Sequence, residues 1–349
     1  MPPQSTTRDT ASASTADLAA WLGLAHVPLL AGPMAVERLG DASGAGELWV
    51  KREDRSGALY GGNKVRKLEL LLGLAQRRGV AVITFGAAGS HHALATALYG
   101  RQLGVPVHVF LGPQFDTPHA RQQLSRTAAA ATSTTGWTNP AAAAWLAWRC
   151  SGDAVRAGAG RPLWVGPGGS SPLGILGSMG LGLELSQDVA AGRLPPPDRV
   201  VVPLGSGGTA VGLALGLALG GLAAEVVAVR VVPWLVANRW SLKMQTAWAR
   251  SYLRRAGLAV PSPAPIRVRG DQMGSGYGLP SPAGSAATRV AAEWGLNLEP
   301  TYSAKAFAAA LDEAGRPGRT LFVATASSVA DPFGAGSVPA ALEWLLRPS

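Results

Sequence analysis

The chain has 349 residues, 47% of them apolar and only 15% charged, with 45 glycines and 26 prolines. That length and apolar content suit one large α/β domain or two domains sharing a core, and the absence of a short period or a long low-complexity tract excludes fibrous and wholly disordered chains. The net charge of +10 rests on scattered arginines, with lysine only at Lys51, Lys64, Lys67, Lys243 and Lys305; with no nucleic-acid-binding motif beside it, this reads as compositional bias.

The stretch up to Thr15 is rich in Ser, Thr and Ala and reads as a frayed tail, without the basic and apolar regions of a signal peptide. Beyond it, short β-rich runs alternate with longer Ala/Leu-rich runs. Strands are expected at 81–85, 107–111, 163–165, 199–203, 225–232, 266–269 and 320–324. Helices are expected near 65–78, 91–103, 117–128, 140–150, 174–191, 209–219, 235–256, 284–295, 304–314 and 338–346. Such alternation predicts α/β architecture with parallel sheets covered by helices, and ligands at the carboxyl ends of the strands. The uncharged run 200–222 is long enough to suggest a membrane span, but it divides into a β-branched strand, a GSGGT break and a Gly-dotted helix, so a cytosolic protein is expected. The lone Cys150 excludes a disulfide scaffold and a Cys-rich zinc site and reads as a small buried hydrophobe.

Three glycine-punctuated loops carry the chemistry. In Gly61-Gly62-Asn63-Lys64, two glycines allow close backbone approach to a ligand, and a lysine opening a helix can be desolvated into a nucleophile, or can be an ordinary first-turn lysine. In Gly89-Ser90-His91-His92, a strand end meets a helix start whose free N–H groups suit a carboxylate, although Ser90 also reads as a plain N-cap. The adjacent histidines diverge by about 100° on a helix and have no partner at ligand spacing, so no metal is expected. In Gly205-Ser206-Gly207-Gly208-Thr209, successive small residues leave backbone N–H groups free to surround a phosphate; the loop lacks the GK[ST] ending of a nucleotide P-loop and the spacing of GxGxxG. The expected phosphate seat therefore dispenses with a lysine and magnesium. A nucleophilic lysine, a carboxylate site and a phosphate cup together point to pyridoxal 5′-phosphate with an amino-acid substrate.

The ordered motifs KREDRSGALYGGNKVRKLELLL, TFGAAGSHH, VGPGGSSPLGILG, PLGSGGT, GYGLP and LEPTYSAKA resemble the 1-aminocyclopropane-1-carboxylate deaminase / D-cysteine desulfhydrase family, over about residues 25–330. The resemblance implies a fold-type II, tryptophan-synthase-β-like pyridoxal-phosphate enzyme with two doubly wound domains. The large cofactor domain is expected at 1–64 and 172–349, with 1–15 as a disordered tail, and the small substrate-carboxylate domain at 65–171. It implies that Lys64 holds the cofactor covalently and moves the α-proton, and that Asn63 bonds the ring hydroxyl. Ser90, with the backbone of His91 and His92, would receive the substrate carboxylate. Gly205, Ser206, Gly207, Gly208 and Thr209 would bind the phosphate, Tyr277 and Tyr302 would line the substrate side, and Thr325, with Ser303, would stand near the pyridine nitrogen.

Three departures bear on the reaction. Relatives carry Ser-Asn where this chain has Ser90-His91, the ring-opening deaminases carry a glutamate where it has Ser303, and a Gly-Gly pair becomes Ala326-Ser327. Without a carboxylate partner the ring is a weaker electron sink, which favours elimination over ring opening. The expected activity is α,β-elimination from a small amino acid, D-cysteine for example, to a keto acid and ammonia. β-Replacement, ring opening and a non-catalytic cofactor binder are the alternatives. A second copy of the chain is the expected protein partner, with no membrane or nucleic acid.

Overall fold

The computed structural model describes residues 13–42, 46–330 and 336–348. The first part of the chain runs α1 (Thr15–Trp21), β1 (Val36–Ala42), β2 (Gly46–Lys51), α2 (Lys64–Arg78), β3 (Val82–Ala87), α3 (His91–Gln102), β4 (Val107–Gly112) and β5 (Gln114–Phe115). There follow α4 (Pro118–Ala130), β6 (Ser133–Gly136), α5 (Pro140–Arg156), β7 (Leu163–Val165), α6 (Pro172–Ala190), β8 (Arg199–Leu204) and α7 (Gly208–Leu219). The remainder is β9 (Glu225–Arg230), α8 (Arg239–Arg255), β10 (Ile266–Arg269), α9 (Pro282–Glu293), α10 (Ser303–Ala314), β11 (Gly318–Val323) and β12 (Leu346–Arg347).

One sheet has the order β1-β2-β11-β8-β9-β10 and the other β6-β4-β3-β7. Every pairing in both is parallel except that of β1 with β2. Central strands are apolar along their whole length: all six residues of β8 are buried, as a strand covered on both faces requires. One face of the larger sheet packs on α6 and α7, the other on α9 and α10. A Cβ at Gly182 would lie 2.5 Å from Leu217 N, so α6 and α7 touch backbone to backbone. The run 200–222 holds β8, the loop and α7, and no described helix is long and apolar enough to cross a membrane.

A buried charge network anchors the helix on which Lys64 sits. The Lys51 ammonium, fully buried, lies 2.6 Å from both Glu184 and Asp188. Arg66 pairs with Glu53 and Glu184, each at 2.6 Å. Glu53 and Arg66 thereby fasten the GGNK loop and α2 to α6, in a setting where removing one charge strands its partners.

Two expectations need correction. The frayed tail was expected to reach Thr15; residues 1–12 lie outside the described residues, but Ser14 caps α1 in a reciprocal capping box with Asp17, and Ala13 is buried. The C-terminal run from about Asp331, without a counterpart in the resembled family, lies partly outside the described residues at 331–335. Its expected helix at 338–346 is a 3-10 turn, Ala340–Leu345, leading into β12, which pairs with β5. An i→i+3 turn fits because so few residues separate Pro339 from that strand pairing.

Candidate active site

The three loops meet. A cavity of about 310 Å³ is lined by Asn63 and Lys64, by Ser90, His91 and His92, by Gly205, Ser206, Gly207 and Thr209, and by Tyr277, Tyr302 and Thr325. Phe85, Trp137 and Val236 contribute an apolar wall. Each loop follows the carboxyl end of a strand or opens a helix, the position at which parallel sheets present ligands.

Lys64 is the first residue of α2. Its ammonium donates to Asn63 Oδ1 at 2.8 Å, while Asn63 Nδ2 donates to Thr209 Oγ1 at 2.8 Å. Asn63 therefore ties the lysine to the glycine-rich loop. Gly62, at φ +96°, turns the chain where a Cβ would strike the Thr325 carbonyl, so only glycine sets Lys64 at this depth. Burial pulls the Lys64 amine down to about 8, against the opposing pull of Glu299. That leaves roughly a tenth of the amine neutral at pH 7, several hundred times the fraction of an ordinary lysine, which is what a carbonyl-trapping amine needs.

The glycine loop builds a seat for an anion at the start of α7. Gly207 adopts φ +97° and serves as the N-cap, leaving main-chain N–H groups at the helix end. Gln245 Nε2 donates to the Ser206 carbonyl at 2.8 Å, and the Ser206 and Ser170 hydroxyls pair at 2.7 Å. Gly208 does not line the cavity; its N–H donates to Ser170 Oγ at 3.1 Å. Sequence reasoning passed over one lysine near the seat. Lys67 Nζ donates to the Gly168 carbonyl at 2.9 Å and reaches Ser170 Oγ at 3.4 Å, beside the same loop. Lys67 lies one helical turn from Lys64, and that i, i+3 spacing is the signal that could have found it. Burial, reinforced by the neighbouring Lys64, pushes the Lys67 amine well below its ordinary range, and a bound dianion would reverse that.

On the opposite wall, Ser90 caps α3, its Oγ accepting from Ala93 N at 3.2 Å. His92 is buried, with Nε2 3.1 Å from Thr84 Oγ1, and burial with Lys64 and Lys67 keeps its ring neutral. His91 Nδ1 bonds the Tyr60 hydroxyl. The Tyr277 and Tyr302 hydroxyls lie 2.8 Å apart. Burial raises Tyr277 to about 12 and Tyr302 well above its ordinary value, so both stay protonated and can donate.

Ser303 is not brought to the cavity. It is fully buried, and its hydroxyl accepts from Glu299 N at 2.8 Å and donates to the Glu299 carbonyl at 3.3 Å. Sequence reasoning missed a carboxylate in the site, because Glu299 lines the cavity. Its carboxylate accepts the N–H groups of Thr301, Tyr302 and Ser303, each at 2.7 Å. Burial works to raise this carboxyl, but His91, His119 and the Ser303 N–H outweigh it and hold it at about 2. Ala326 lines the cavity, and Ser327 Oγ accepts from Gly61 N at 2.8 Å, so Ser327 braces the GGNK loop.

These residues fit pyridoxal 5′-phosphate: an amine of lowered basicity at one end, a helix N-terminus with the Lys67 amine nearby at the other, and a cavity of suitable size between them. The family model described as pyridoxal-phosphate dependent enzyme matches residues 28–326. The chain is 32% identical to the Nocardicin C-9′ epimerase of Nocardia uniformis subsp. tsuyamanensis, over 87% of this chain and 93% of the relative. It is 34% identical to a D-cysteine desulfhydrase of Klebsiella pneumoniae subsp. pneumoniae, over 82% and 88%. A solved structure described as an ACC deaminase homologue superposes with a TM-score of 0.73 at 26% identity, covering 88% of this chain and 94% of that one. The processed form of threonine deaminase isoform 2 from Solanum lycopersicum shares the fold at a TM-score of 0.55 and 16% identity, over 91% and 79%. With its sheets, its cavity and these likenesses in agreement, the chain belongs to the pyridoxal-phosphate dependent enzymes of fold type II.

Proposed function

We propose that the protein is a lyase that removes the α-proton of a small amino acid and expels a β-substituent, which leaves protonated (as hydrogen sulfide from cysteine), while water hydrolyses the released aminoacrylate to a keto acid and ammonia, with a D-amino acid such as D-cysteine as the substrate class. The observation that carries this is the single cavity onto which Lys64, the Ser90 helix start, the Gly205–Thr209 loop and the Tyr277–Tyr302 pair all open. The bound cofactor would supply the electron sink. Lys64 would hold it and move the proton at the α-carbon, Ser90 and the neighbouring N–H groups would seat the carboxylate, and the protonated tyrosine hydroxyls would donate to the departing group. The relatives named D-cysteine desulfhydrase support the choice of substrate. The division into a cofactor domain (1–64, 172–349) and a carboxylate domain (65–171), the homodimer and the cytosolic location belong to the same reading. The two separate sheets support the domain division.

A second reading is epimerisation, favoured by the likeness to an epimerase and by hydroxyls able to return a proton after Lys64 has taken one. A panel of D- and L-amino acids assayed in deuterated water separates the two. Keto acid and ammonia from a β-substituted alanine support elimination, whereas α-deuteration with inversion and no keto acid supports epimerisation. Neither product from any member would refute both.

A further inference from the structure

A second cavity, of about 400 Å³, shares a partition with the first: His91 and Glu299 stand in the walls of both. His119, on the first turn of α4, lines only the second. These three side chains come from distant parts of the chain, yet two ring nitrogens and a carboxylate oxygen lie within 4.8 Å of one another. Nε2 of His91 and Nε2 of His119 are both buried without a hydrogen-bond partner, a cost that calls for a ligand.

The surroundings orient the set. The Tyr60 hydroxyl holds His91 Nδ1 and itself accepts from Gln123 Nε2 at 3.3 Å. His91 Nε2 is thereby left facing Glu299 Oε2 at 3.7 Å. Three main-chain N–H groups fix the Glu299 carboxylate. Two imidazoles and one carboxylate, with an outer partner on the imidazole and an open side toward a cavity, form the donor set of a zinc-class ion.

We propose that His91, His119 and Glu299 bind a divalent transition-metal ion of the zinc class in the partition between the two cavities. Bonds of about 2.0–2.1 Å set neighbouring ligand atoms of a tetrahedral site roughly 3.3 Å apart. The His91–Glu299 separation is already close to that, and the half-buried His119 can close the rest by rotating its side chain. Arg126 lines the same cavity and opposes a cation, an effect the Glu299 charge must offset. Magnesium and calcium prefer all-oxygen shells and would be poor occupants. A bound ion would join the start of α3, with Ser90, to the 299–303 segment carrying Tyr302, fixing two walls of the cofactor cavity. The proposal is independent of the reaction assigned above.

Untagged, cofactor-loaded enzyme, stripped with a chelator and dialysed, is titrated with Zn²⁺ by calorimetry. One ion per chain is expected. His119→Ala and the bulkier His119→Gln should each weaken binding roughly 100-fold or more, and Tyr60→Phe roughly 10- to 100-fold, the usual scale for an outer partner. His108→Ala, on β4 and bonded to Ser133, should change nothing. An unchanged cofactor absorbance in each sample verifies the fold and keeps this outcome separate from that of the assigned reaction. Absence of saturable binding in the wild type overturns the site. So does binding that survives both His119 variants, or that falls equally with His108→Ala.

Discussion

Gly207→Ala probes the phosphate seat without adding charge. At φ +97°, a Cβ there would lie 2.7 Å from Gln245 Nε2 and 3.0 Å from Leu242 Cδ2. The backbone conformation alone costs an L-residue roughly 1–2 kcal/mol. Gln245 can swing aside, but it then gives up its bond to the Ser206 carbonyl, a further loss of about 1 kcal/mol. The total is roughly 2–3 kcal/mol of stability. Gly192→Ala is the control: φ is +70°, no atom lies within 4 Å, and the expected loss is only about 1 kcal/mol. Displacing even one N–H from a dianion should weaken cofactor binding about 10- to 100-fold in Gly207→Ala and leave it unchanged in Gly192→Ala. Urea unfolding of the cofactor-free proteins measures the first quantity, and cofactor titration followed by absorbance measures the second. Equal stability losses in the two variants, with wild-type cofactor affinity in both, would show that the 205–209 loop is a plain turn.

Because burial brings Lys64 to about 8, the rate of cofactor capture by stripped protein should rise tenfold per pH unit and level off near pH 8; a rise continuing past pH 9.5 would mean an ordinary lysine. Glu299 is held at about 2, below its ordinary 4.5, so its contribution to stability is complete above pH 4.5 and is lost as pH falls toward 2. The stability difference between wild type and Glu299→Gln should therefore shrink by about 1.4 kcal/mol per pH unit below pH 4.5, and a flat difference between pH 4.5 and 3 contradicts the assignment. Lys51→Met removes the buried cation that bridges Glu184 and Asp188, leaving Arg66 on the first and Arg193 on the second, and should cost about 3 kcal/mol in urea unfolding; a cost under 1 kcal/mol would mean the network relaxes to solvent.

Strands and helices with dense local signals were legible in the sequence. The β-branched run at 199–203 and the Ala/Leu run at 209–219 emerge within a residue as β8 and α7, because both are apolar throughout and broken by GSGG. The pair β1 and β2 escaped because Val36–Ala42 and Gly46–Lys51 mix charge with apolar residues, and their pairing, with β11 beyond, is settled by tertiary contacts. Helix α1 escaped because a Ser/Thr/Ala tract looks like a tail until the Ser14–Asp17 capping box is noticed. At the site, the loops that bring one side chain each were readable as strand-to-helix turns. Glu299 and His119 were not: Glu299 stands inside the LEPTYSAKA motif but was passed over for Tyr302 and Ser303, His119 belongs to no local motif, and each acquires meaning only where the chain returns to His91. Ser303 misled for the converse reason: its position in a motif says nothing of the main-chain bonds to Glu299 that occupy its hydroxyl.

Lys64 is the residue assigned to hold the cofactor. Purified enzyme should be yellow, and borohydride reduction followed by proteolysis and mass spectrometry should place the cofactor mass on the peptide containing Lys64, with Lys64→Ala losing both the colour and the label. A label on Lys67, Lys51 or Lys305, or full labelling in Lys64→Ala, would contradict it.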